Sequence, residues 1–196
     1  MRAVWTLALL PLLLAGCLPV AVLRSPEPVR GEELALGLSL IRNPFANRDR
    51  YPLIPLPYLA YARGDGAQEE NFSVQLGLRA GLKATLAPGV ALDLGITPPL
   101  FLLGDAGGFP FVLDGGVLLG QGGFYLSPRL HLAVGLLPPC TPGGYNFFCG
   151  PPVLPVLQAA FGYMGPEGGL EAGAFVGENP IIYLAGALRF RLETGP

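Results

Sequence analysis

The sequence predicts an all-β chain folded as an antiparallel up-and-down β-barrel of about eight strands. Three observations carry that reading. Apolar and polar side chains alternate with a period of two through most of the chain, Gly and Pro clusters interrupt the alternation at hairpin spacing, and no useful length after residue 31 shows a helical period. Composition sets the remaining bounds. Of 196 residues, 51% are hydrophobic and only 13% are charged, against roughly 25% charged in an ordinary soluble domain. With 29 Gly and 22 Pro the chain approaches low-complexity composition, yet its hydrophobicity and its net charge of -2 exclude disorder. The same charge balance excludes a nucleic-acid binder, which needs clustered Lys and Arg.

The first element is a leader. Arg2 is the only charge before Arg24, an apolar run covers residues 5–14, and Leu14-Ala15-Gly16-Cys17 follows it directly, the layout of an export signal. Pro11 and Pro19 argue against an uncleaved membrane helix. The four-residue stretch resembles the lipobox of bacterial lipoproteins. That resemblance implies cleavage after residue 16, diacylglyceryl transfer to the Cys17 thiol and acylation of the new N-terminus, which makes residues 1–16 a signal peptide. Leu18 stands where an Asp would signal retention at the inner membrane, so the resemblance also allows passage to the outer membrane. Residues 17–31 carry Pro19, Pro26 and Pro28 without a clear period and read as a lipidated tether. Residues 32–196 read as one β-barrel domain.

Within that domain the clearest alternation runs over residues 72–86. Phe72, Val74, Leu76, Leu78, Ala80, Leu82, Ala84 and Leu86 fall on one side; Ser73, Gln75, Gly77, Arg79, Gly81, Lys83 and Thr85 fall on the other. This predicts one long strand. Pro88-Gly89 makes a tight turn into a strand over residues 90–97 that carries Asp93. Residues 109–119 form a weaker strand with Asp114, Gly120 to Gly123 a turn, and residues 124–136 a strand with Arg129 and His131 on its polar side. Residues 153–164 and 169–176 are joined by Gly165-Pro166-Glu167-Gly168, and residues 181–192 close the chain. Residues 32–42 and 53–63 bring the candidates to nine. Counted back from the C-terminus, the last eight fit an even barrel and residues 32–42 have the wrong parity.

An amphipathic sheet closes with either face inward. The polar face is mostly Gly, Ala, Ser and Thr with few charges, which suits a narrow lumen better than a water-facing surface, where long charged side chains are the rule. The pattern over residues 51–192 resembles bacterial outer-membrane β-barrels at the level of architecture. The resemblance implies an apolar exterior against membrane lipid, periplasmic tight turns, long outer connections at residues 97–108 and 137–152, and a place in the outer membrane. Tyr58, Tyr61, Phe72, Phe124, Tyr125, Phe161, Tyr163 and Tyr183 are candidates for interfacial girdles. The chain departs from the usual ending, since it runs on to Pro196 without a terminal aromatic. The rival arrangement turns the leucines inward, as a lipid-anchored periplasmic or surface barrel or sandwich binding an apolar ligand.

On the membrane reading Arg79, Lys83, Asp93, Asp114, Arg129, Glu171, Arg189 and Arg191 point into the lumen with His131. An internal ion-pair network is expected, because unpaired charges there are costly and eight strands leave no aqueous pore; an anionic-ligand or ion path is the functional alternative. Some barrel hydrolases acting on lipid use His and Ser near the rim. Ser127 and His131 stand about 13 Å apart along a strand, beyond hydrogen-bond reach, so neither a catalytic residue nor enzyme activity is expected. With a single His in the chain no metal site is expected, and no motif requires a cofactor. Cys140 and Cys149 remain as a pair once Cys17 is set aside, and are expected to form a disulfide in an oxidising compartment. Tyr145, Asn146, Phe147 and Phe148 inside that loop offer a contact surface for a partner or for lipid headgroups. The chain therefore reads as a small outer-membrane β-barrel lipoprotein with a structural or surface-interaction role.

Overall fold

Period-two alternation with short Gly and Pro interruptions yields hairpins, and the hairpins close on themselves. The computed structural model describes residues 20–42, 53–75, 77–98, 111–135, 153–177 and 180–192. The expected signal peptide, Cys17, Cys140 and Cys149 lie outside the described residues. Ten strands form: β1 (Arg30–Arg42), β2 (Leu53–Asp65), β3 (Gln68–Val74), β4 (Leu78–Ala87), β5 (Val90–Thr97), β6 (Phe111–Gln121), β7 (Phe124–Val134), β8 (Val153–Met164), β9 (Gly168–Val176) and β10 (Ile181–Leu192). Each pairs antiparallel with its sequence neighbour, and β1 pairs with β10 to close the barrel. The closing seam runs from Glu32 opposite Leu192 to Ile41 opposite Tyr183, so no strand of the sheet is left with a free edge.

The architecture is the one expected, with ten strands in place of about eight. Residues 72–86, expected as one strand, divide into β3 and β4 around Gln75 and Gly77, where the Gln75 N–H donates to Gly77 O at 3.3 Å. Alternation survives the reversal because Val74 pairs with Leu78, Phe72 with Ala80 and Glu70 with Leu82. Even-numbered residues face even-numbered residues, so the apolar set runs through the turn without a break. The division also removes the parity conflict, and β1 takes its place as a full member of the wall.

β1 starts and β10 finishes at the end that carries the tight turns at Pro88-Gly89, Gly122-Gly123 and residues 165–167. Connections 43–52, 98–110 and 135–152 all join strands at the opposite end. These are the turn end and the long-connection end. Leu82 and Leu170, 63% and 64% exposed, stand on the outside with the other large apolar residues, while Asp93, Asn71 and His131 are fully buried within. This excludes a barrel with its leucines at the axis. Of the aromatic candidates, Phe124, Phe161 and Tyr163 cluster outside at the turn end, the Phe124 ring 6.2 and 4.9 Å from the other two. Tyr58, Tyr125 and Tyr183 instead turn into the lumen, where strand parity places them.

Ala185 sits in the last strand between Ser39 of β1 and Glu171 of β9. A proline there removes a ladder donor and strains both seams. Ala185→Pro is expected to abolish the closed form, seen as loss of the compact, fast-migrating species when the unheated protein is run in SDS.

Candidate functional site in the barrel lumen

Four consecutive strands build a charged knot on one side of the lumen. Arg79 on β4 donates through Nε and Nη2 to Asp114 on β6 at 2.8–3.1 Å and through Nη2 to Asp93 on β5 at 3.1 Å. Arg129 on β7 bonds both of the same carboxylates. Asn71 on β3 accepts from Arg79 Nη1 at 2.8 Å. The wall makes room with glycine: Gly81 and Gly95 are paired neighbours on β4 and β5, and a Cβ at either would overlap the Arg79 guanidinium. All four ionic side chains are buried, and each charge has two opposite partners, the condition under which ions are tolerated away from water.

A second cluster is centred on Glu171 of β9. Its carboxylate accepts from Tyr125 Oη at 2.7 Å and Tyr183 Oη at 2.8 Å. Gln158 Nε2 donates to Tyr183 Oη at 2.7 Å, and its Oε1 lies 2.8 Å from His131 Nε2. Gly162 and Gly173 let the two tyrosine rings lie flat, since a Cβ at either would overlap the ring. His131 and Ser127 do not meet: Ser127 Oγ and His131 Nδ1 have no hydrogen-bond partner among the described residues. Both residues are fully buried.

The lumen also holds the chain's own N-terminal segment, residues 20–29, most of it buried. Val20 and Ala21 donate their N–H groups to Gln75 Oε1 at 2.9 and 3.1 Å. Val22 and Leu23 donate theirs to the two oxygens of Glu171 at 3.1 and 2.9 Å. Leu23 has φ of 45°, a left-handed conformation costing about 1–2 kcal/mol; the two successive N–H groups converge on one carboxylate as a nest does on an anion. Gln158 Nε2 donates to Val20 O at 2.6 Å and Tyr58 Oη to Val22 O at 3.1 Å. Lys83 Nζ reaches Ser25 O and Glu27 O, and the Val29 N–H donates to Glu69. One ion pair, Arg24 to Glu69 at 3.0 Å, joins side chain to side chain; Lys83 shares the same glutamate at 2.6 Å.

Of the inward set read from the sequence, Arg79, Lys83, Asp93, Asp114, Arg129, His131 and Glu171 are buried in the lumen. Arg189 stands at the turn-end mouth, paired with Glu33, and Arg191 is exposed beside it. Of that set Arg79, Arg129, Asp93 and Asp114 pair with one another, Lys83 pairs with Glu69 instead, and Glu171 meets tyrosine hydroxyls and backbone N–H groups with no cation among the described residues. The sequence reading put Gln75 on the polar side but left it out of the inward set; it missed Glu69, Asn71 and Gln158, which parity along their strands could have supplied, and Arg24, because residues 17–31 have no period. Comparison with family models, with curated proteins and with solved structures finds no match.

Removing one member of the knot strands its partners. Arg79→Ala is expected to lower the unfolding free energy in detergent by about 3–5 kcal/mol, the usual cost of an orphaned buried charge. The neutral pair Arg129→Met with Asp93→Asn, which deletes one charge of each sign, is expected to cost less than Arg79→Ala; chemical unfolding midpoints of the three proteins check the order.

Proposed function

We propose that this chain is a small outer-membrane β-barrel lipoprotein, exported and acylated at Cys17, whose barrel spans the bilayer. Its role is structural or surface-interacting, through the long connections and the aromatic loop closed by Cys140 and Cys149, and it does no catalysis. The observation that carries this reading is the distribution of charge on the outer face. Among the described residues the outward charged side chains of the strands are Arg30, Glu32, Arg42, Arg63, Asp65 and Glu70; the first five lie within three positions of a strand end, and Glu70, third in the short β3, stands opposite Leu82 of β4. Apart from Glu70, the belt of Leu, Ile, Val and Phe between the strand ends holds no outward ion among the described residues. A water-facing sheet needs charge along its whole length for solubility; a lipid-facing one needs it only where the strands emerge. Most strands reach or exceed the 9–11 residues that cross a bilayer core, and Phe124, Phe161 and Tyr163 stand at the level of the turns, where girdles form.

Two measurements test it. Leu94→Arg, in the middle of β5, is expected to weaken folding into lipid vesicles by about 2–4 kcal/mol, whereas Gln121→Arg, outward at the turn end, is expected to cost about 1 kcal/mol or less. Equal costs at the two depths would contradict a membrane belt. Cys17→Ala is expected to lose acyl labelling yet remain with the membrane after alkaline carbonate washing; release by that wash would leave only a tethered domain.

A further inference from the structure

We propose that residues 20–29 are a displaceable plug, and that the lumen behind them is a conduit for small cations which this segment holds shut. The inference rests on the membrane-spanning reading and goes beyond it. An eight-stranded barrel is filled by its own side chains; two further strands add about 10 Å of circumference, and the segment occupies the space they create. The seat is close, with only about 30 Å³ left between the segment and the wall around Leu23, Tyr58 and Lys83.

The segment belongs to no strand pair. The wall grips it almost wholly by main-chain atoms, through side chains that keep other partners. Glu171 retains Tyr125 and Tyr183, Gln75 retains Ser39 at 2.6 Å, and Lys83 retains Glu69. Among the described residues no hydrogen bond or ion pair joins the knot around Arg79 to the segment. Withdrawal therefore leaves the wall's own networks standing.

Water already reaches the plug. A cavity of about 600 Å³ opens at the turn end between Ser25, Glu27 and Pro28 of the segment and Glu33, Arg189 and Arg191 of the wall. The segment joins the barrel at Arg30, the first residue of β1, and Gly31 beside it, at φ of 85° with nothing within 4 Å of where a side chain would stand, has the left-handed backbone that glycine adopts freely. Withdrawal also removes Arg24 from Glu69 and two N–H groups from Glu171. The buried wall groups then left, Arg79, Lys83 and Arg129 against Glu69, Asp93, Asp114 and Glu171, carry one net negative charge among the described residues, which favours cations.

The test is current across a planar bilayer in potassium chloride. The full chain is compared with a chain lacking residues 20–29 and with Val22→Asp, which sets a second carboxylate against Glu171 while the wall stays intact. Compact migration in unheated SDS verifies closure of each barrel. The full chain is expected to be silent, and both variants to raise the current at least about tenfold with a preference for potassium over chloride. A synthetic peptide of residues 20–29 is expected to reclose the deleted form. Closed, inserted variants that stay silent would overturn the plug, showing that the apolar residues Ile41, Val112, Leu154 and Ile181 seal the lumen unaided. A full chain that conducts as well as its variants would overturn it too. Barrels that are compact in detergent but enter no bilayer would instead refute the membrane reading, and the plug would fall with it.

Discussion

A ten-stranded sheet closed on itself leaves an interior wider than its own side chains fill, and every polar group turned into that interior must find its partner there. This constraint orders the rest of the structure. Four buried cations, Arg24, Arg79, Lys83 and Arg129, meet four buried carboxylates, Glu69, Asp93, Asp114 and Glu171. Because one of the cations comes from the N-terminal segment, the buried charges of the described residues balance only with that segment seated. Its backbone has the matching need: a main chain inside the barrel has no strand to pair with, so Gln75, Gln158, Glu171, Lys83 and Tyr58 act as its hydrogen-bond partners. Leaving such groups unpaired would cost about 1–3 kcal/mol each.

The small residues that dominate the inner face follow from the same constraint. Arg79 can reach Asp93 and Asp114 together because Gly81 and Gly95 lie beneath its guanidinium, and Tyr125 and Tyr183 can converge on Glu171 because Gly162 and Gly173 lie beneath their rings. Glycine in a strand normally weakens it. In this wall the loss is offset by large polar groups lying against the sheet, which a Cβ would push toward the axis.

Fold class was legible because the period of a strand is local: it needs only neighbouring residues to show itself. Strand count was not, and the reason is arithmetic. A reversal through Gln75 and Gly77 pairs even with even, so residues 72–86 keep perfect alternation across a hairpin, and only Gly77 marks the turn. Inward residues such as Arg79, Asp93 and His131 were legible by parity, but their partners were not. Arg79 bonds Asp114 across 35 positions and Val22 bonds Glu171 across 149, separations that only closure of the sheet brings together. Residues 20–29 gave no periodic signal because their hydrogen bonds go to side chains, and side-chain partners impose no repeat on a chain.

The direction in which the segment runs bears on any lipid at Cys17. Val20 bonds Gln75, just past the far end of β3, whereas Val29 O accepts from Gly66 in the turn before β3 begins. The seated segment thus spans the whole of β3, roughly 20–25 Å at strand rise, from the turn end toward the long-connection end. Two residues, Leu18 and Pro19, lie between Cys17 and Val20, a reach of about 10 Å at most. A chain held by an acyl anchor in the leaflet on the turn side therefore cannot also have Val20 against Gln75. The seated segment and a turn-side anchor exclude one another, so were Cys17 acylated, the leaflet of its lipid and the occupancy of the lumen would be one variable, fixed by the length of chain between Cys17 and Val20.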